Sequence, residues 1–150
     1  MINLSWQEKS VLSSLLAVMA VATGYFVRTV GMASRGEVDV GEVAGLSIGA
    51  VVLLVVVQLL YQLLLALHCR AEPADERDRL INTLATRDAY FVLQAGLWLT
   101  IMHLAVAGLV DGAQLRWFTP FVTGQLAVFG AVFAEATKYG SQLIRYRLAA

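Results

Sequence analysis

Polar side chains are scarce in the apolar parts of this chain, and the few present are the first places to look for chemistry. Gln58 and Gln62 stand four residues apart, on one face if the segment is helical. Gln94 lies about 9 Å along the next apolar run, at about 1.5 Å per residue. His103 follows on that run, with Thr100 one turn away and with Thr23 and Gln125 as partners on neighbouring segments. Amides and imidazoles in apolar surroundings either hydrogen-bond between helices, at roughly 0.6 kcal/mol each, or line a polar pathway. Gln58, Gln62, Gln94 and His103 therefore form a candidate polar pocket. Glu135 ends the last apolar run, with Lys138 one turn on. That spacing suits an ion pair at an apolar edge, or a carboxylate that gates or handles protons.

Other chemistries lack their parts. His68 and His103 would be separated in depth by about 22 Å, at the helical rise, so they cannot share one haem iron. Cys69 is the only cysteine, which removes intrachain disulfides and thiolate clusters; a cysteine just past an apolar run can be a free thiol or a palmitoylation site. No metal or other cofactor is expected. Ser13 and Ser14 have no base near them, and the glycines lack the context of a phosphate loop. No catalytic residue is assigned. An enzyme acting on lipid or quinone would have to rest on His103, Glu135 and the carboxylates between residues 68 and 88.

The elements that must position these groups are legible in composition. The 150 residues are 59% hydrophobic and 15% charged, against about 45–50% and about 25% in soluble domains. Net charge is zero, which gives no field for nucleic acid. The charges cluster and leave four apolar runs, about 11–30, 43–67, 89–110 and 117–136, the first broken by Arg28 near its end. About 20 apolar residues in helix cross a bilayer. The valine-rich stretch 51–57 does not alternate apolar and polar, against a membrane barrel. Helix then follows, because lipid offers nothing to satisfy an open backbone. Lys9 before the first run, with Ala20-Val21-Ala22 inside it, has the outline of a cleaved leader, but the run continues through Val27, so a retained span is expected.

Lys and Arg set orientation. With both ends inside, Lys9, Arg70, Arg77, Arg79, Arg87, Lys138, Arg145 and Arg147 are cytoplasmic, and Arg28, Arg35 and Arg116 are outside. Trp6, Tyr25, Tyr90, Trp117, Phe118 and Tyr139 lie near run ends, as an interfacial belt would. Short links predict an all-α, membrane-embedded, up-down-up-down four-helix bundle as a single domain. Thr119-Pro120 reads as a helix start. Between the second and third runs, Glu72-Pro73 predicts the start of a cytoplasmic amphipathic helix over 72–88, with Leu80, Ile81 and Leu84 on one face and Asp75 set to pair with Arg79. Asp75, Glu76, Arg77 and Arg79, with Glu135 and Lys138, are a candidate cytoplasmic interaction surface. Gly41, Gly45 and Gly49 recur every four residues, a small-residue stripe that suits helix packing or a homodimer face.

Asp75, Glu76, Arg77 and Ile81, then Arg87, Tyr90 and Phe91, with Tyr146 and Arg147 near the end, carry a resemblance. The chain resembles small bacterial four-span membrane proteins that hold such a D-E-R-x-x-x-I-like segment before the third span. The resemblance implies four spans in a bacterial inner membrane and no particular activity. The expected partners are the bilayer and a protein partner or second copy, in a regulatory or scaffold role. A small transporter or channel subunit built on the polar pocket is the alternative.

Overall fold

The computed structural model describes residues 6–36, 38–68, 75–109 and 120–148. They form four helices: α1 (Trp6–Arg35), α2 (Val40–His68), α3 (Glu76–Leu109) and α4 (Pro120–Leu148). Their ends follow from local chemistry. Gly36 closes α1 at φ +72°, a left-handed turn that glycine adopts without Cβ strain, and donates from its amide to the Ala33 carbonyl at 3.2 Å. Asp39 caps α2 by accepting from the Gly41 amide at 3.0 Å. Asp75 caps α3, accepting from the Glu76 amide at 2.7 Å, while the Asp78 carboxylate reaches back to the Asp75 amide at 3.1 Å. Asp75 is thereby committed to the backbone, and no ion pair with Arg79 forms among the described residues. The Glu72-Pro73 start lies outside the described residues; from Glu76 onward one unbroken helix carries the charged segment into the apolar run.

α1, α2 and α3 are long and apolar enough to cross a membrane. α4 is more polar, with Gln125, Glu135, Lys138 and Gln142 along it, and the aromatic lead-in before Pro120 lies outside the described residues. Its place in the packing accounts for its polarity. α3 packs on α4, α4 on α1, and α1 on α2. A helix flanked by protein on two sides can spend part of its surface on polar contacts. The α2–α3 pair, joined directly in sequence, makes no comparable packing among the described residues. Loops set which neighbours are reachable; side-chain fit decides which are chosen.

The α3–α4 seam shows that fit. Ile81, Ala85 and Ala89 on α3 and Ala134 on α4 are buried. Gly96 and Gly130 meet backbone to backbone: a Cβ built on Gly96 would lie 2.8 Å from the Gly130 Cα. α1 buries Ser14, Val18, Ala22, Tyr25, Thr29 and Met32, a stripe at three- and four-residue spacing. α2 is apolar all round, and Val51, Val52, Val55, Leu59 and Leu63 are among its exposed side chains.

Candidate functional site

The polar groups gather at three places, apart from the separate His103–Thr123 contact. The first is a collar where the starts of α1 and α3 meet the end of α4. Asp78 accepts from the Gln7 amide at 3.2 Å and also holds the Tyr146 phenol. Glu8 pairs with Arg147 at 3.5 Å, and Gln142 donates to Asn82 at 2.7 Å. Asp88 accepts from Arg145 Nη2 at 2.7 Å and from the Ser141 hydroxyl at 2.8 Å, while Arg145 Nε donates to Ser141 Oγ at 3.1 Å. Asp88 thus accepts from both partners, while Ser141 donates to Asp88 and accepts from Arg145. Burial, with the Asp78 carboxylate beside it, pushes the Tyr146 phenol up to about 12. These contacts tie three helices together at one end.

The same collar has an outward set that takes no part in the tie. Asp75, Glu76, Arg77 and Arg79 are exposed, and with Leu80 and Thr83 they line an open cleft of about 600 Å³. Of the amphipathic face, Ile81 is buried, Leu84 is half-buried and Leu80 is 60% exposed. Leu80 therefore lends the charged cleft an apolar element.

The second place is Tyr25. Its ring is buried, 6% exposed, so Tyr25 belongs to the core and not to an interfacial belt. Gln125 Nε2 donates to the Tyr25 hydroxyl at 3.0 Å, and that hydroxyl lies 3.0 Å from Ser47 Oγ. Ser47 spends its own proton on the Val43 carbonyl at 2.9 Å, so Tyr25 must donate to Ser47. The result is a directed chain across α4, α1 and α2. Gln125 Oε1 is buried without a hydrogen-bond partner among the described residues.

The third place is Tyr139, whose hydroxyl accepts from Gln58 Nε2 at 3.4 Å, with Ser14 and Glu135 beside it. Gln58 thus meets α4, whereas Gln94 is exposed on α3, and the structure does not bring those two together. The Gln62 side chain lies outside the described residues. His103 Nδ1 bonds Thr123 Oγ1 at 3.0 Å, and not Thr23 or Gln125. Thr23 donates to the Met19 carbonyl, and Thr100 to the Gly96 carbonyl. Gln58, Gln94 and His103 are therefore not brought together in one pocket. The Glu135–Lys138 ion pair does not form either: the Lys138 ammonium sits over the Tyr139 ring, 5.5 Å from its centroid.

Gly45 and Gly49 do not pack against another helix, since a Cβ at either would meet nothing within 4 Å; at Gly41 it would meet only Asp39 of its own turn. Gly45 and Gly49 line an open cleft between α1 and α2, with Arg28 and Glu42 on it. The close approach that the stripe led one to expect occurs instead at Gly96 and Gly130. Among the described residues no three His, Cys, Asp or Glu side chains converge as a metal site. Comparison with protein-family models, curated proteins and solved structures finds no match to this chain.

Proposed function

We propose that the chain is an integral membrane protein of four antiparallel spans whose collar faces the cytoplasm and docks a protein partner, in a regulatory or scaffold role. Support for the bilayer comes from α2. It is apolar around its whole circumference and exposed along its length, a patch far beyond what a soluble surface tolerates. α4 is the fourth span in this reading, its polarity tolerated because α1 and α3 flank it. The Lys and Arg bias supports a cytoplasmic position for both ends and the 68–88 segment. The resemblance of its Asp75-Glu76-Arg77 segment to that of bacterial four-span proteins supports a bacterial inner-membrane location.

The observation that carries the docking role is the division of labour within the collar. Asp78, Asp88, Arg145 and Arg147 are consumed by contacts between helices. Glu76, Arg77 and Arg79 stay exposed around Leu80, on a helix anchored from below. A rigid, mixed-charge cleft with an apolar centre is the form of a small protein–protein site. A photo-crosslinker placed at Arg79 in native membranes should yield one discrete adduct, absent when the crosslinker is at Gln94 and lost in Arg77→Glu. A folded, correctly inserted protein that gives no adduct at Arg79 would remove the reading.

A further inference from the structure

We propose that the slot between α1, α2 and α4 binds an amphiphilic organic cation, an ammonium group on an apolar body, with Glu135 receiving the charged head. The slot is separate from the collar cleft and does not depend on the docking role. It encloses about 200 Å³. Three helices build it in matched register: Val18 to Tyr25 on α1, Ser47 to Leu54 on α2, and Val128 to Glu135 on α4. Each stretch advances seven residues, about 10 Å along its axis. Between the ends the walls are Val, Ala and Leu. At one end Tyr25 and Ser47 are engaged with each other and with Gln125. At the other end stands Glu135, the one carboxylate among the lining residues.

Charge selects the occupant. Glu135 has no cationic partner among the described residues, because Lys138 is drawn over the Tyr139 ring and the ion pairs belong to Glu8 and Asp88. Glu135 is exposed at the mouth of the apolar slot, where a carboxylate attracts a cation and repels an anion. A neutral guest would fill the walls without pairing with the carboxylate and an anionic one would be repelled; an ammonium would pair with it while its apolar body fills the walls. The Tyr139 hydroxyl beside Glu135 offers a further polar contact, and its ring already holds one ammonium.

The test uses the full chain in nanodiscs of uncharged lipid and three probes with one apolar body: octylamine, octanol and octanoate. Octylamine should bind saturably, with octanol at least tenfold weaker and octanoate weaker still. Glu135→Gln should weaken octylamine at least tenfold and leave octanol unchanged. Ala50→Leu and Ala131→Leu, which narrow the slot from α2 and α4, should weaken both. Equal binding of octylamine and octanol to the wild type, or octylamine affinity unmoved by Glu135→Gln, overturns the proposal. Should Glu135→Gln fail to fold, undiminished octylamine binding in both leucine variants overturns it equally.

Discussion

Replacing Gly96 by alanine adds a single methyl at the most crowded of the described glycines. That Cβ would sit 2.8 Å from the Gly130 Cα and 3.6 Å from its carbonyl carbon. Carbon atoms in good contact lie about 3.5–4.0 Å apart, so α3 and α4 must separate locally by roughly 0.8 Å. What blocks the methyl is backbone, which no rotamer change can move aside. The upper end of the overpacking cost applies, about 3 kcal/mol. Alanine's better helix propensity returns about 1 kcal/mol, leaving a net loss of about 2 kcal/mol. Gly130→Ala, at 3.1 Å from the Gly96 Cα, should lose less. Gly45→Ala and Gly49→Ala meet open space, so they should gain, by about 0.5–1 kcal/mol. Reversible unfolding in mixed detergent, followed by circular dichroism, reads all four. The opposite signs are the signature. A Gly96→Ala protein as stable as the wild type, or a destabilised Gly45→Ala, would refute the assignment of the seam to Gly96 and Gly130.

Other outcomes follow from the polar contacts. Tyr25→Phe breaks two bonds between helices and leaves the Gln125 amide unmet, which should cost about 1 kcal/mol in the same assay. The Tyr146 phenol is held protonated to about pH 12 against an ordinary value of 10.0. Its contribution to stability is therefore full below pH 10 and is lost as pH rises toward 12; Tyr146→Phe should abolish that alkaline loss, and an unchanged profile would contradict the Asp78 contact. Asp88→Asn and Arg145→Met should each lower the thermal midpoint, with the double variant no worse than either alone, since they remove one shared interaction.

The four helices are legible because long uncharged stretches have few physical alternatives. Their partners are not, because loop length constrains neighbours without ranking them. α3 joins α4 through a surface of small residues, Ala85, Ala89 and Gly96 against Gly130 and Ala134. No one of these glycines is conspicuous in its own run; the seam exists only once two distant segments are laid side by side. The stripe of Gly41, Gly45 and Gly49 is conspicuous on one helix, yet the helix beside it does not close on it. Tyr25 reads as a belt residue by position, and its burial was decided by Ser47 and Gln125, 22 and 100 residues away. The reciprocal cap at the start of α3 is legible in Asp75 and Asp78, three residues apart. Gln58 and Glu135 are conspicuous as polar residues in apolar runs, whereas Tyr139, their common neighbour, reads by position only as a belt residue. Polar residues inside an apolar chain announce that a contact exists; which contact depends on helix order.

Sidedness is the measurement on which the membrane account stands. In a Cys69→Ser background, single cysteines replace Arg35, Arg77 and Arg147, and intact cells are treated with a membrane-impermeant maleimide. Only the cysteine at position 35 should react before lysis, and all three after it. Labelling at position 147 in intact cells would show that α4 does not cross, and release of the protein from membranes by alkaline carbonate would contradict the bilayer account as a whole.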